Sequence, residues 1–399
     1  MLPEGWHRST LGEIARISSG GTPDRAEPGY WGGDIPWVTT GEIQFGTITD
    51  TAEKITEAGL KNSSAKLFPP GTLLMAMYGQ GKTRGQVAKL GIEASTNQAC
   101  AAILLSDTQH PDFFFQYLSS QYEALRELGN AGTQQNLSGG ILKEVPVPVP
   151  PLPEQYCIAR ILSTWDKAIA TTERLLANSQ KQQDILAKAL LTGVRRLQNE
   201  NEWMDRRIGE LISESRVLGS GGGSAKKITV KLYGRGVVGK QEKRVGSEST
   251  QYYRRTPGQF IYSKLDFLNG AFGLIPEQLD GHESTLDLPA FDFLPRVDPR
   301  WFLYFVSREE FYLGHLGLAN GGRKARRVNP VDLLRVSIQM PELREQQSIA
   351  DLLDTAQAEV RNLSAQLESL RREKTALMVQ LFTGRRRVPR TEVETEVAL

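Results

Sequence analysis

Two stretches of the chain carry heptad positions in alternating steps of four and three. In the later stretch these are Ile349, Leu353, Ala356, Val360, Leu363, Leu367, Leu370, Lys374, Leu377 and Leu381. The same register in the earlier stretch gives Ile158, Leu162, Trp165, Ile169, Thr172, Leu176, Ser179, Gln183, Leu186 and Leu190. A repeat averaging 3.5 residues predicts a long helix with one apolar seam. Neither Pro nor Gly interrupts the runs between Pro153 and Gly193 or between Pro341 and Gly384. Proline at the start and glycine past the end are the expected helix punctuation, and Glu154 and Glu345 fall in the first turn, where the helix dipole favours a carboxylate. About 40 residues at 1.5 Å each make a helix of about 60 Å. Such a helix alone would expose its seam, so the two are expected to pack as an antiparallel coiled coil. Thr172, Ser179 and Gln183 make the first seam partly polar, which weakens the pair and helps fix its register.

The two stretches are also copies of each other. Residues 152–196 begin LPEQYCIARIL and end LAKALLTGVRR; residues 343–387 begin LREQQSIADLL and end LMVQLFTGRRR. They align without a gap at a constant offset of 191, and such self-similarity is the signature of a duplicated architecture. Upstream, Trp6 with Leu11-Gly12-Glu13 is echoed by Trp203 with Ile208-Gly209-Glu210. The blocks before each helix alternate short β-like runs with Gly- and Pro-rich turns. Strands are expected at 71–77, 101–106 and 145–150, and again at 258–267, 270–276 and 334–340; helices are expected at 111–128 and 298–316. The plan is therefore globular, helical, globular, helical, with boundaries at 1–150, 151–196, a linker at 197–202, 203–342, 343–387 and a tail at 388–399.

Composition narrows the function classes. Over 399 residues, 39% are hydrophobic and 24% charged, as in ordinary globular proteins. No apolar run approaches the roughly 20 residues of a membrane span, and the start MLPEGWHRST lacks the apolar stretch of a signal peptide. Cys100 and Cys157 are too few for a disulfide framework, and four scattered histidines argue against a metal centre. The expectation is a reduced, cytoplasmic protein with no membrane partner. The net charge of +2 is unevenly spread: residues 1–150 carry −4 and residues 203–342 carry +5. A mildly basic second block is compatible with nucleic acid, and equally with a solvated mixed-charge surface.

Several loops hold side chains suited to DNA. In YGQGKTRGQ (78–86), Gln80 and Gln86 can pair with adenine edges, Arg84 with guanine, and Lys82, beside Thr83, with phosphate. Gln134, Gln135 and Asn136 form a second group. Arg323, Lys324, Arg326 and Arg327 crowd one short loop, where phosphates would give steeply salt-dependent binding. Lys226, Lys227, Lys231 and Arg235 flank a Gly-rich stretch that reads as a natural mobile loop. Each group has a plainer reading as turn or solvated-surface residues. AMYGQGKT (76–83) also fits a relaxed phosphate loop, but a phosphate loop must open onto a helix, and RGQVAKLGIE is a poor helix start. A P-loop enzyme and a coiled-coil adaptor that never touches DNA remain the alternatives. No adenine-methyltransferase motif is present; the nearest string, NPVD (329–332), lacks the second proline and the aromatic. No catalytic residue and no metal ligand is assigned.

The PPLPEQ and PELREQ helix starts, the Leu-Thr-Gly and Phe-Thr-Gly helix ends, and the phrases TNQAC and GQFIYSKLDFLNGAFGLIPEQLDG resemble the specificity subunits of type I restriction–modification enzymes. The resemblance implies a mixed α/β fold: two homologous α+β target recognition domains separated by two long helices packed as an antiparallel coiled coil. It implies that each domain reads one half of a bipartite, asymmetric site on double-stranded DNA. The helices would set the half-site spacing and dock two methyltransferase subunits, and through them restriction subunits. On this reading the chain binds no cofactor; S-adenosylmethionine belongs to the methyltransferase subunits, which methylate adenine, and ATP and magnesium to the restriction subunits.

Overall fold

The long helices are observed as Leu152–Leu191 and Leu343–Phe382, 40 residues each. The computed structural model describes residues 2–79, 82–129, 136–197, 202–241, 247–314, 319–320 and 327–388. Packing groups the chain into two compact units: Met1–Glu173 with Ala365–Leu399, and Arg174–Ser364. Each unit thus contains one block with the beginning of its own helix and the end of the other helix.

In the first unit a five-stranded sheet runs in the order Ala15–Ser19, Cys100–Leu105, Leu73–Ala76, Val87–Leu90, Thr47–Ile48. Only the last pair is parallel. Cys100–Leu105 and Leu73–Ala76 read as unbroken apolar runs, and Leu73–Ala76 is fully buried, as expected of a strand covered on both faces. A four-stranded sheet, Glu53–Ile55, Trp31–Val38, Ala94–Thr96, Leu67–Phe68, stands beside it. In the second unit the main sheet has four strands, Ile212–Ser215, Ala290–Phe293, Phe260–Tyr262, Phe272–Leu274. A three-stranded sheet, Leu218–Gly221, Gln251–Arg254, Glu283–Ser284, accompanies it.

A two-stranded ribbon closes each block: His7–Thr10 with Pro146–Val149, and Met204–Arg207 with Ser337–Met340. These ribbons follow the duplicated tryptophans, so the echo in sequence is an echo in structure. The helices expected at 111–128 and 298–316 are each broken in two. Pro111–Ser120 gives way to Tyr122–Leu128 at Gln121, whose amide bonds the carbonyl of Leu118 three residues back, the tightening by which helix ends satisfy their orphan carbonyls. Pro299–Val306 and Glu309–Gly314 are separated at Ser307 and Arg308, whose guanidinium lies over the Phe305 ring and bonds its carbonyl.

The helices enter the cores of the blocks. Ile158, Leu162, Leu381 and Phe382 join Trp6, Phe113 and Phe114 in one apolar cluster of the first unit. Ile349, Leu353, Leu190 and Leu191 join Phe260, Tyr262, Trp301 and Phe302 in the second. Burial of each such side chain contributes about 1.5–3 kcal/mol. Every seam position named above, in both helices, is buried or half-buried. Thr172 and Ser179 are among the buried ones, and Thr172 returns its hydroxyl to the Ala168 carbonyl at 2.9 Å.

The duplication is sharpest where a helix begins. In the first unit Glu154 is buried, accepts the Trp6 indole N–H at 2.9 Å, and takes both Nε and Nη2 of Arg387 at 2.8 and 2.9 Å. In the second unit Glu345 is buried, accepts the Trp203 indole N–H at 3.2 Å, and takes Nε and Nη2 of Arg196 at 2.9 and 2.8 Å. Both partners have counterparts: Arg196 and Arg387 are 191 residues apart, as the glutamates are, and Trp6 and Trp203 are 197 apart. The neighbouring glutamines repeat too. Gln155 accepts from the His110 amide and donates to the Pro150 carbonyl; Gln346 accepts from the Asp298 amide and donates to the Pro341 carbonyl. Each glutamate therefore ties the start of one helix to the segment that follows the end of the other. In each unit the two helix segments run antiparallel, with Lys374 on Asp166 and Arg371 on Glu173 in the first and Gln183 on Gln357 in the second.

Candidate nucleic-acid interface

Of the sequence-predicted DNA residues that the structure describes, all but Lys227 and Arg327 sit on loops beside the strands. Residues 77–86 connect Leu73–Ala76 to Val87–Leu90, an antiparallel pair. The segment after Lys82 and Thr83 therefore continues as a strand rather than a helix, which removes the phosphate-loop alternative. Gly79 and Gly85 take φ of 136° and 85°, and the Gly85 amide bonds the Ala76 carbonyl at 2.9 Å. Lys82 is exposed, and Thr83 and Gln86 are half-buried. The Tyr122 hydroxyl donates to the Lys82 carbonyl, and Arg126 donates to that hydroxyl at 2.8 Å. Gln80 lies outside the described residues.

Arg84 is a departure from the expected guanine reader. It is buried, with Nη2 3.4 Å from the Arg126 carbonyl, so its guanidinium braces the loop instead of facing solvent. Asn136 is exposed, and the next residue, Leu137, bonds its amide to the Met77 carbonyl at 3.0 Å. The structure thus brings the 136 region against the 77–86 loop. Gln134 and Gln135 lie outside the described residues.

In the second unit the Gly-rich stretch is more ordered than its composition suggests. Leu218–Gly221 is a strand paired with Gln251–Arg254, and Ile228–Val230 pairs with Val237–Gly239 in a hairpin. Lys226, Lys231 and Arg235 are exposed. Lys227 is buried, with its ammonium 5.4 Å from the centre of the Tyr252 ring, a position that stabilises the fold by cation–π attraction and keeps it from open solvent. Arg327 is exposed, opens the strand Arg327–Val328, and stands 3.8 Å from Asp287. Arg323, Lys324 and Arg326 lie outside the described residues.

Sequence reasoning missed a buried cation beside this surface. Arg255 is fully buried and bonds the Ser284 hydroxyl and the Ser215 carbonyl, each at 2.8 Å. Burial pushes its pKa down to about 10, still well above neutral pH, so it remains a charged strut between strands. No pattern marks it, because its exposed neighbour Arg254, the last residue of the strand Gln251–Arg254, has the same residue type. Burial pushes the Cys100 thiol up to about 12, which keeps it unreactive. Among the described residues no group of His, Cys, Asp or Glu is arranged to hold a metal, and no helix is long and apolar enough to cross a membrane.

The sequence pattern of the type I restriction modification DNA specificity domain matches residues 3–178. The MjaIX specificity subunit of Methanocaldococcus jannaschii is 31% identical over 195 residues, 48% of this chain and 43% of that one. The HindI specificity subunit of Haemophilus influenzae is 24% identical over 202 residues, 48% and 42% of the two chains. These alignments thus span under half the length of either relative. The MjaVIII specificity subunit of M. jannaschii aligns over 97% of this chain and 94% of its own at 21% identity. Among solved structures, the HsdS subunit from Thermoanaerobacter tengcongensis superposes with a TM-score of 0.54 at 18% identity, covering 96% of this chain and 98% of that one. A chain of a type I R-M system described for its complex assembly and conformational transition gives 0.60 at 17% identity, with the same coverage. With the duplicated helices and their repeated glutamate ties, these likenesses assign residues 3–178 a type I restriction modification DNA specificity domain and give nearly the whole chain the fold of the specificity subunits it superposes on.

Proposed function

We propose that this chain selects the DNA site of a type I restriction–modification complex and performs no chemistry itself. The first block reads one half of a bipartite, asymmetric site and the second block reads the other. The observation that carries this reading is a contrast. The mounts of the two blocks are alike residue by residue, Glu154 with Trp6 and Arg387, Glu345 with Trp203 and Arg196. The mounted blocks differ, with five- and four-stranded sheets in one and four- and three-stranded sheets in the other. Equal mounts suit two copies of one partner, and unequal blocks suit two different half-sites.

On this reading two methyltransferase subunits dock on the repeated helices, bind S-adenosylmethionine and methylate adenine. Restriction subunits, using ATP and magnesium, join through them. The exposed Lys82, Asn136, Lys226, Lys231, Arg235 and Arg327 face DNA, the cations toward phosphates and Asn136 toward an adenine edge. The test is exchange of residues 1–150 for the matching block of a relative, followed by methylome sequencing of the host. One half of the methylated motif should change while the other half and the spacer stay. A change in both halves at once would refute independent readout, and an unmodified genome in both parent and deletion strains would refute the function.

A further inference from the structure

We propose that Tyr233 is a DNA-contacting residue of the second block, a rigid aromatic finger that stacks on a base or sugar of the half-site. This rests on the DNA-reading function proposed above. Among the described residues only two non-glycine residues have positive φ, Phe45 at 56° and Tyr233 at 58°. Phe45 has an aromatic neighbour, with its ring edge-on to Tyr122 at 5.2 Å. Tyr233 is 69% exposed.

Tyr233 lies at the tip of the hairpin formed by Ile228–Val230 and Val237–Gly239. Gly234 follows at φ 64°, and the Arg235 amide bonds the Leu232 carbonyl at 3.3 Å. Two successive left-handed residues inside such a bond are the pattern of a type I′ turn, whose first central position favours Asn, Asp or Gly. A tyrosine there strains the backbone, and so exposed a ring regains little of that through packing. Strain of this kind persists where the surrounding structure enforces it, and it concentrates at sites of function. Here the enforcement is visible: the Tyr233 amide bonds the Asn269 carbonyl at 2.9 Å and the Gly234 amide bonds the Gly270 carbonyl at 2.8 Å.

The chemistry around the tip selects the ligand. Lys231 and Arg235 flank the tip in sequence and are both exposed, and the Arg235 guanidinium carbon lies 5.9 Å from the Tyr233 ring centre. An exposed ring with a guanidinium beside it and a second cation two residues away in sequence suits a base or sugar next to phosphates. Because the tip is pinned to a second loop, the ring arrives pre-positioned and gives up little freedom on binding.

The test uses the full chain assembled with its methyltransferase subunits and a duplex bearing the methylated motif. Y233G removes the ring and suits the left-handed backbone, so folding is preserved; Y233W keeps an aromatic face. Y233G should bind the cognate duplex about tenfold more weakly with an unchanged salt slope, because no charge is lost. Y233W should stay within about threefold of the parent, since the stacking face is kept. Equal cognate binding and equal methylation by Y233G and the parent would overturn the proposal. So would loss of the methyltransferase subunits from Y233G, which would make the hairpin a protein contact. A parent complex that shows no preference for the cognate duplex would instead remove the DNA-reading function on which the proposal rests.

Discussion

Glu154 and Glu345 show how much a single buried carboxylate can be asked to hold. Each gathers an indole N–H and a two-pronged guanidinium from segments distant in sequence. The carboxylate–guanidinium fork is the strongest hydrogen-bonding geometry available to side chains. Burial alone would raise the pKa of Glu345, but the bonds from Arg196 and Trp203 more than offset it and hold the group below its ordinary value of 4.5. A depressed carboxyl pKa contributes stability that is present above pH about 4.5 and is lost as pH falls through the lower, folded-state value. E345Q should therefore lower the stability of the second unit by about 1.5–3 kcal/mol at pH 7, the worth of hydrogen bonds to a charged group. It should also flatten the loss of stability below pH about 4.5; urea melts at pH 7 and pH 4 check both. A loss of equal size at the two pH values would mean that the charge of Glu345 is immaterial. The repeat made this residue visible in the sequence, where the helix dipole was the only role that could be read. Its true partners lie 142 and 149 residues away, a distance that no local pattern reports. Arg84, Lys227 and Arg255 were illegible for the related reason that a cation on a loop or strand looks the same whether it points into the core or out.

At the scale of elements, periodicity read most clearly where the element was longest. Forty-residue helices offer many repeats of the seam, and every seam position is covered in the structure. The shorter helices were placed correctly and joined wrongly, because the breaks at Gln121 and Ser307 arise from end-capping bonds and a side chain packed over its own helix rather than from Gly or Pro. The seam itself makes a prediction. Gln183 donates to Gln357 at 2.8 Å between half-buried positions, a polar pair in the partly polar stretch of the seam that also holds Thr172 and Ser179. Replacing one glutamine with leucine strands the amide of the other, at a cost of about 1 kcal/mol or more. Replacing both restores an apolar layer and should be neutral or stabilising. A double-mutant cycle in urea should thus give a coupling of about 1–2 kcal/mol, of a sign that makes the double variant better than the sum of the singles. Additive losses would show that the two amides do not depend on each other. The polar layer then serves register rather than stability, as single polar seam residues do in other coiled coils.

For the molecule as a whole, the duplicated helices offer a quantitative test of spacing. On the proposed function the helix pair runs along the DNA and sets the number of unread base pairs. Four residues inserted after Glu173, matched by four after Ser364, fall where each helix passes from one unit to the other. The mounts at Glu154 and Glu345 and the cores around Leu162 and Leu353 are then untouched. Four helical residues advance about 6 Å and turn about 40° beyond one full revolution. One DNA base pair advances about 3.4 Å and turns about 35°. Rise alone would favour two added base pairs, and rotation favours one. A reader that is off by 3 Å can shift on its loops, whereas one off by 35° leaves its groove, so rotation should decide. The methylated motif should keep both half-sites and gain one base pair between them. Seven residues inserted at the same two places provide the contrast. They advance about 10 Å, close to three base pairs, but turn about 20° short of two revolutions, while three base pairs turn about 105°. That variant should fold, because a heptad preserves the seam, and should lose methylation. Full methylation at the parental spacing by either variant would mean that the blocks pivot freely, and the helices would be a mount without being a ruler.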